Sequence, residues 1–242
     1  MKVLCFDIQG DYAHFRKFYT TSSPLTFSFP PPPTISGILG AIYGTDKNKN
    51  EYLKTFGNDK CKIALMILRP IKKVRMGLNH LETKGTNFRL PMSDKNLAPR
   101  TQIRTEFVKN PGFRIYISHQ DSGIFDKLCR NISEHKCIYT VSLGISELIA
   151  DFGFVGVYSS DLMTAKDFIE LSTPITGSNL LPGGLLIEEG KKYFKEKMPI
   201  VMTPKRVVEK YDDVIFEPDG KSIKAQVKTY LRLENGENIT FF

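Results

Sequence analysis

The chain has 242 residues, 41% hydrophobic and 25% charged, the balance of a folded globular protein rather than a disordered or fibrous one. One large domain, or one with a sizeable insertion, would bury about 70–75% of the unfolded surface, so disulfides and structural metals are unnecessary. Lys and Arg outnumber Asp and Glu by 34 to 26, a formal charge of +8, compatible with nucleic acid, an anionic membrane surface or a solvated basic surface.

The longest wholly apolar run, Ile63 to Leu68, falls far short of the roughly 20 residues that a membrane span needs. Asp7 interrupts the N-terminal apolar stretch, so no signal peptide is expected. A soluble, cytoplasmic protein with no membrane partner is expected. The four cysteines (Cys5, Cys61, Cys129, Cys137) lack C-x-x-C spacing and the four histidines are scattered, so reduced thiols, no zinc site and no cofactor are expected.

Lys2 to Ile8 is apolar and β-prone and predicts a first strand. A polar, aromatic turn follows, Asp11 to Lys17. Four prolines, Pro30 to Pro33, read as a stiff connector. Thr34 to Gly44 then predicts a short helix, with Thr34 as N-cap and Gly44 as the stop. Its small residues Gly37, Gly40, Ala41 and Gly44 share one face. Close packing against a sheet explains them, as does approach of the N-terminal amides to a phosphate, and the two readings are compatible.

Lys62 to Leu68 predicts a second strand and Phe113 to Ser118 a third, which alternates cleanly. Ser122 is expected to cap a helix whose stripe is Ile124, Phe125, Leu128, Cys129 and Ile132. Lys136 to Leu143 predicts a fourth strand. Strand, helix, strand, then strand, helix, strand is the split-βαβ, ferredoxin-like pattern.

Between the second and third strands, residues 75–109 carry seven basic residues (Arg75, Lys84, Arg89, Lys95, Arg100, Arg104, Lys109) and three acids, a net +4. The segment is too long for an ordinary loop and predicts a protruding basic hairpin or arm that grips nucleic acid. Beyond it, a helical turn is expected at Ser146–Ala150 and a strand at Phe154–Tyr158. Turns are expected at Leu180–Gly184 and Glu217–Gly220, and strands at Met198–Val208, Val214–Phe216 and Ser222–Leu233. The chain thus divides into a domain at 1–150 and a β-rich part at 151–242.

No Walker A loop, G-x-S-x-G elbow, H-E-x-x-H or dinucleotide fingerprint occurs. His14, with Arg16, Lys17 and Tyr12 nearby, offers a base, an acid and a cation for metal-independent RNA cleavage. A lone His in a polar turn is more often a binding or surface residue. Aromatics beside basic residues (Phe15 with Arg16 and Lys17, Phe88 with Arg89, Phe107 with Lys109) suit base stacking with phosphate neutralisation.

Phe6-Asp7-Ile8-Gln9-Gly10, Ala13-His14-Phe15-Arg16 and the run Pro31 to Gly44 resemble the start of the fifth CRISPR-associated family. These are RAMP-type subunits of the type I surveillance complex, Cascade. Ser142 to Glu147 resembles the family's later L-G-x-S-E element. Met198 to Met202, Arg206 and the Gly220-to-Ile223 turn resemble the type I-B branch. The resemblance implies an α+β fold: a ferredoxin-like RAMP domain, a β-hairpin thumb inserted at about 75–109, and a small β-rich C-terminal subdomain. It implies a non-catalytic subunit in antiviral defence that holds the 5′ handle of CRISPR RNA (crRNA). Its partners would be the large subunit, the backbone subunit and, within the complex, target DNA. Thr34, Ser36 and Gly37 would lie at the handle, with Arg16 and Lys17 close by and Ser142, Gly144 and Ser146 on an opposing loop. With His14 and the thumb cations Arg75, Arg89, Arg100 and Arg104, these form the expected RNA-binding set. In the type I-C branch a member cuts precursor RNA, which keeps an endoribonuclease as the alternative.

Overall fold

The computed structural model describes residues 1–20, 22–81 and 100–242. Its first elements are β1 (Lys2–Gln9), β2 (Tyr12–Ala13), α1 (Pro32–Tyr43), α2 (Glu51–Thr55) and β3 (Cys61–Ile67). Then come β4 (Lys72–Leu81), β5 (Arg100–Lys109), β6 (Gly112–His119) and α3 (Ser122–Ser133). The rest is β: β7 (Asp151–Met163), β8 (Ile169–Leu171), β9 (Ile175–Thr176), β10 (Leu180–Leu185), β11 (Phe194–Met202) and β12 (Val208–Phe216). The chain closes with β13 (Ile223–Val227), β14 (Tyr230–Leu233) and β15 (Asn238–Ile239). The fold is mostly β, of the α+β class.

The largest sheet has the order β15-β14-β7-β1-β6-β3, and all its neighbours are antiparallel. β1 is an interior strand covered on both faces, which is why it reads as a nearly continuous apolar run. Leu4, Phe6 and Ile8 face the main core with Ile35, Leu39, Phe125 and Leu128 of α1 and α3. Val3 and Cys5 face a second core with Tyr116, Leu231, Leu233 and Ile239. The sheet therefore curls, bringing the C-terminal strands over its own face. The Phe242 amide donates to Ile63 O at 3.0 Å, tying the chain's end to the opposite edge.

Several local expectations are corrected. α1 begins at Pro32, not after a Thr34 cap; two prolines occupy its first positions and no side chain caps it. Proline is tolerated there because first-turn N–H groups have no intrahelical partner. The stop at Gly44 is as expected, in the left-handed region. The small face of α1 packs on α2, Thr45 and the loop after α3 rather than on a sheet. A Cβ on Gly40 would stand 2.6 Å from Tyr52 Cβ, and one on Gly44 2.8 Å from Ile138 Cγ1. α3 is capped by Asp121, whose Oδ1 accepts from the Ile124 amide at 3.1 Å, one residue before the expected Ser122.

Lys136 to Leu143 is not a strand. The Ile138 and Tyr139 amides both donate to Ala41 O, at 3.2 and 3.0 Å, closing the end of α1. Val141 and Leu143 plug the core, and one isolated bridge, Ser142 to Ile149, is the local pairing. The place beside β1 belongs to β7, so a division at residue 150 falls just before a strand of the main sheet. Ser146 to Ala150 holds turns rather than helix. Leu180 to Gly184, expected as a turn, lies in β10 and pairs with β13. The run 198–208 breaks after Met202 at a turn closed by the Thr203 amide on Val207 O, 2.8 Å. Ser222 to Leu233 splits into β13 and β14, which join different sheets.

Candidate functional site

His14 follows β2 and is buried. Its Nδ1–H donates to the Glu106 carbonyl at 2.7 Å and its ring stands 5.6 Å from Phe107. Its amide donates to Leu143 O at 2.9 Å. The next residue of that loop, Gly144, has φ +109°, and a Cβ there would fall 1.9 Å from His14 O. Only glycine allows both the backbone angle and so close an approach. The 13–16 segment and the 142–147 loop, remote in sequence, thus meet backbone to backbone. Gly144 and Ser146 are exposed and Ser142 is half-buried; the Ser146 hydroxyl donates to Glu147 Oε2 at 3.1 Å.

β4 and β5 form an antiparallel ribbon from Lys72–Lys109 out to Leu81–Arg100. Pairing with period 2 puts Lys73, Arg75, Gly77 and Asn79 on one face with Val108, Glu106, Arg104 and Gln102. The other face carries Val74, Met76, Leu78, Ile103 and Phe107. On the polar face an open groove is lined by Arg75, Gly77, Gln102 and Arg104. Arg75 and Arg104 are exposed, and Arg100 stands at the outer end. Arg89, Phe88, Lys84 and Lys95 lie outside the described residues.

At the ribbon's base two carboxylates gather the cations. Glu196 Oε1 on β11 lies 3.1 Å from Lys17 Nζ and 3.3 Å from Lys73 Nζ, while its Oε2 accepts from the Ser28 amide at 3.0 Å. Glu106 accepts from the Thr26 amide at 3.3 Å and approaches Arg75 Nε at 3.5 Å. Burial opposes the charged form of Glu196, but Lys73, the Ser28 amide and Lys17 outweigh it and hold the carboxyl below its ordinary value. Burial likewise opposes the Lys17 ammonium, and Glu196 outweighs it, raising that group. Lys17 is thus a structural ion-pair partner, whereas Arg16 is exposed and reaches Thr20 O at 3.0 Å.

Thr34, Ser36 and Gly37 lie elsewhere, on α1. The Ser36 hydroxyl is buried, with Phe56 O at 2.8 Å and Pro32 O at 3.1 Å. The first two helical positions are prolines without N–H groups, and the Thr34 and Ile35 amides donate to Pro31 O. Among the described residues no hydrogen bond joins these three to the His14–Gly144 junction.

Phe15 and Phe107, candidate stacking residues by sequence, are buried core. Exposed aromatics elsewhere include Phe18 and Tyr19, two and three residues past Arg16, and Tyr211 on β12, at 58%, 59% and 36% exposure. An aromatic pair in a polar turn beside Lys17 was the available signal for the first two; nothing local marks Tyr211. Among the described residues no three His, Cys, Asp or Glu side chains group as metal ligands. Burial pushes the Cys5 and Cys61 thiols up to about 12, so both are inert core residues. No helix among the described residues is long and apolar enough to cross a membrane.

The family described as CRISPR-associated protein (Cas_Cas5) matches residues 3–166, the span holding the main-sheet strands β1, β3, β6 and β7, the ribbon and the His14–Gly144 junction. The chain belongs to the Cas5 family. Solved structures share its fold along nearly the whole length. A CRISPR protein from Archaeoglobus fulgidus aligns at TM-score 0.57 and 13% identity, covering 98% of this chain and 97% of that one. A chain of a CRISPR RNA-guided surveillance complex aligns at TM-score 0.54 and 10% identity, over 92% and 91%. A further Cas protein aligns at TM-score 0.50 and 9% identity, over 90% and 95%. No curated protein matches the sequence. Cas5 membership was legible in the first 44 residues and in the loop at 142–147, the two elements that the fold brings into contact.

Proposed function

We propose that this Cas5 chain is a non-catalytic RNA-binding subunit of a type I CRISPR complex, of the type I-B branch, that holds the 5′ handle of crRNA. Family membership combined with the exposed arginines of the β4–β5 ribbon carries this reading. The order β7-β1-β6-β3, with α1 and α2 after β1 and α3 after β6, supports a ferredoxin-like RAMP core. The ribbon leaves that core between β3 and β6, where a thumb would. On this reading the core takes in β7, the β-rich remainder follows it, and the large and backbone subunits are the protein partners.

The ribbon contributes phosphate contacts through Arg75, Arg100 and Arg104. Gly144, Ser146 and Arg16 supply backbone and side-chain donors at the junction. Thr34 and Gly37 face a separate stretch of the surface, while His14, Lys17 and Ser36 act through their neighbours. The deep burial of His14 weighs against its serving as a base on bound RNA.

One incubation of the purified chain with labelled repeat RNA in EDTA, resolved on native and denaturing gels, tests the reading. Retarded, intact RNA is the expected result. Arg100→Ala/Arg104→Ala should weaken binding and lower the slope of log K against log salt by about one per lost phosphate contact. Unchanged affinity and slope would remove the ribbon from the proposal. A discrete RNA product lost in His14→Ala would establish the endoribonuclease instead.

A further inference from the structure

The most exposed aromatic cluster among the described residues lies beside the ion-paired base of the ribbon. Lys17 to Thr20 is a tight turn, closed by the Thr20 amide and hydroxyl on Lys17 O at 3.3 and 2.8 Å. It holds Phe18 and Tyr19 outward. Their rings stand 5.1 Å apart at 88°, and Phe18 lies 5.0 Å from Tyr211 at 46°. Tyr211 therefore extends the cluster from a strand remote in sequence. Cations surround it: Lys197 Nζ is 5.8 Å from the Tyr211 ring and Lys17 Nζ 6.0 Å from that of Tyr19. The Arg16 guanidinium is tied to the same turn. Among the described residues neither Arg16 nor Lys197 has a carboxylate within 4.0 Å.

From this arrangement we infer that Phe18, Tyr19 and Tyr211 form a stacking platform for an unpaired base of single-stranded RNA, with Arg16 and Lys197 on the flanking phosphates. The inference rests on the RNA-binding reading above and adds a site to it. Exposed rings are costly to hydrate unless something covers them. What covers these must also suit two cations that have no carboxylate partner among the described residues, in a chain of net charge +8. A single strand presents a π-face and a phosphate at each nucleotide and meets both demands. The turn is built to display the rings, since Thr20 closes it on Lys17 O, the Lys17 amide anchors it on Leu25 O at 2.8 Å, and Arg16 braces it. Lys17 is neutralised by Glu196 and serves to hold the turn on β11.

The test is a titration of the full chain with a labelled single-stranded repeat RNA, and with the same RNA carrying abasic nucleotides at successive positions. Phe18→Ala and Tyr211→Ala should each weaken binding roughly five- to hundredfold, as loss of one stacked base does. The salt slope should stay as in the wild type, because no phosphate contact is lost. Phe18→Tyr and Tyr211→Phe should restore affinity, and an abasic nucleotide at the platform should erase the difference between wild type and the Ala variants. Wild-type affinity in both Ala variants would overturn the platform and leave the RNA-binding reading intact. Wild-type RNA affinity with loss of co-purifying protein subunits would make the cluster a protein interface and overturn it equally. A wild-type chain that binds no RNA would overturn both readings. Melting midpoints follow each variant, and the abasic series on the wild-type chain keeps the test decisive if an Ala variant unfolds: a loss of affinity confined to one position supports the platform, and affinity equal to that for the intact RNA at every position overturns it.

Discussion

Gly144 is held at φ +109° with His14 O where its Cβ would be. Gly144→Ala therefore adds both backbone strain and a backbone clash. A loss of at least about 2 kcal/mol is expected, since strained φ and overpacking each cost that order. It would show as a drop in melting temperature of about 4–8 °C for a chain of this size. Glu196 makes the opposite kind of demand. Its carboxylate faces Lys17 and Lys73 in a half-dry site, so Glu196→Gln should cost about 2–4 kcal/mol at pH 7. The folded carboxyl sits below its ordinary 4.5. Its contribution is therefore fully present above that value and fades as the pH falls through the lower, folded one. The stability gap between wild type and Glu196→Gln should hold above the ordinary 4.5 and narrow as the pH falls below it. Urea titrations across that range check it, and a gap that widens with acid would contradict the pairing.

Among the elements, α1 shows why glycine occupies a helix it does not favour. Gly→Ala ordinarily gains about 1 kcal/mol in a helix interior. At Gly40 the new methyl would meet Tyr52 Cβ at 2.6 Å and Thr45 Oγ1 at 2.7 Å. Gly40→Ala is therefore expected to destabilise by about 1–3 kcal/mol, and Gly40→Ala/Thr45→Ala, which removes the Oγ1, should recover part of the loss; thermal melts compare the two. The spacing of small residues along one helix face was legible in the sequence, but not which partner they admit. The ribbon was legible as a basic excursion between two strands. Its division into a polar and an apolar face depends on register, which follows from pairing with the opposite strand.

At the scale of the molecule, Met198, Ile200, Val214 and Phe216 of β11 and β12 share the main core with Phe6, Phe29 and Leu39. Phe216 meets Phe29 edge to face at 5.1 Å. Phe216→Ala should cost about 3–5 kcal/mol and shift the unfolding of the whole chain. A single urea transition seen alike by tyrosine fluorescence and circular dichroism is expected. Two separated transitions, with only one moved by Phe216→Ala, would mean that the C-terminal strands fold independently.

The amino-acid sequence by itself determined β1, β3 and β6, the existence of α1 and its stop at Gly44, the helix at α3 and the basic character of residues 75–109. Alternation, turn chemistry and charge act over a few residues and need no distant partner. Tertiary structure decided that β7 rather than residues 136–143 flanks β1, because Ile138 and Tyr139 close the end of α1 instead of pairing. It also decided that His14 meets Gly144, that Glu196 neutralises Lys17, and that Phe18 and Tyr211 face solvent while Phe15 and Phe107 do not. Each of those outcomes depends on which remote segment arrives alongside, and on how much water it leaves behind.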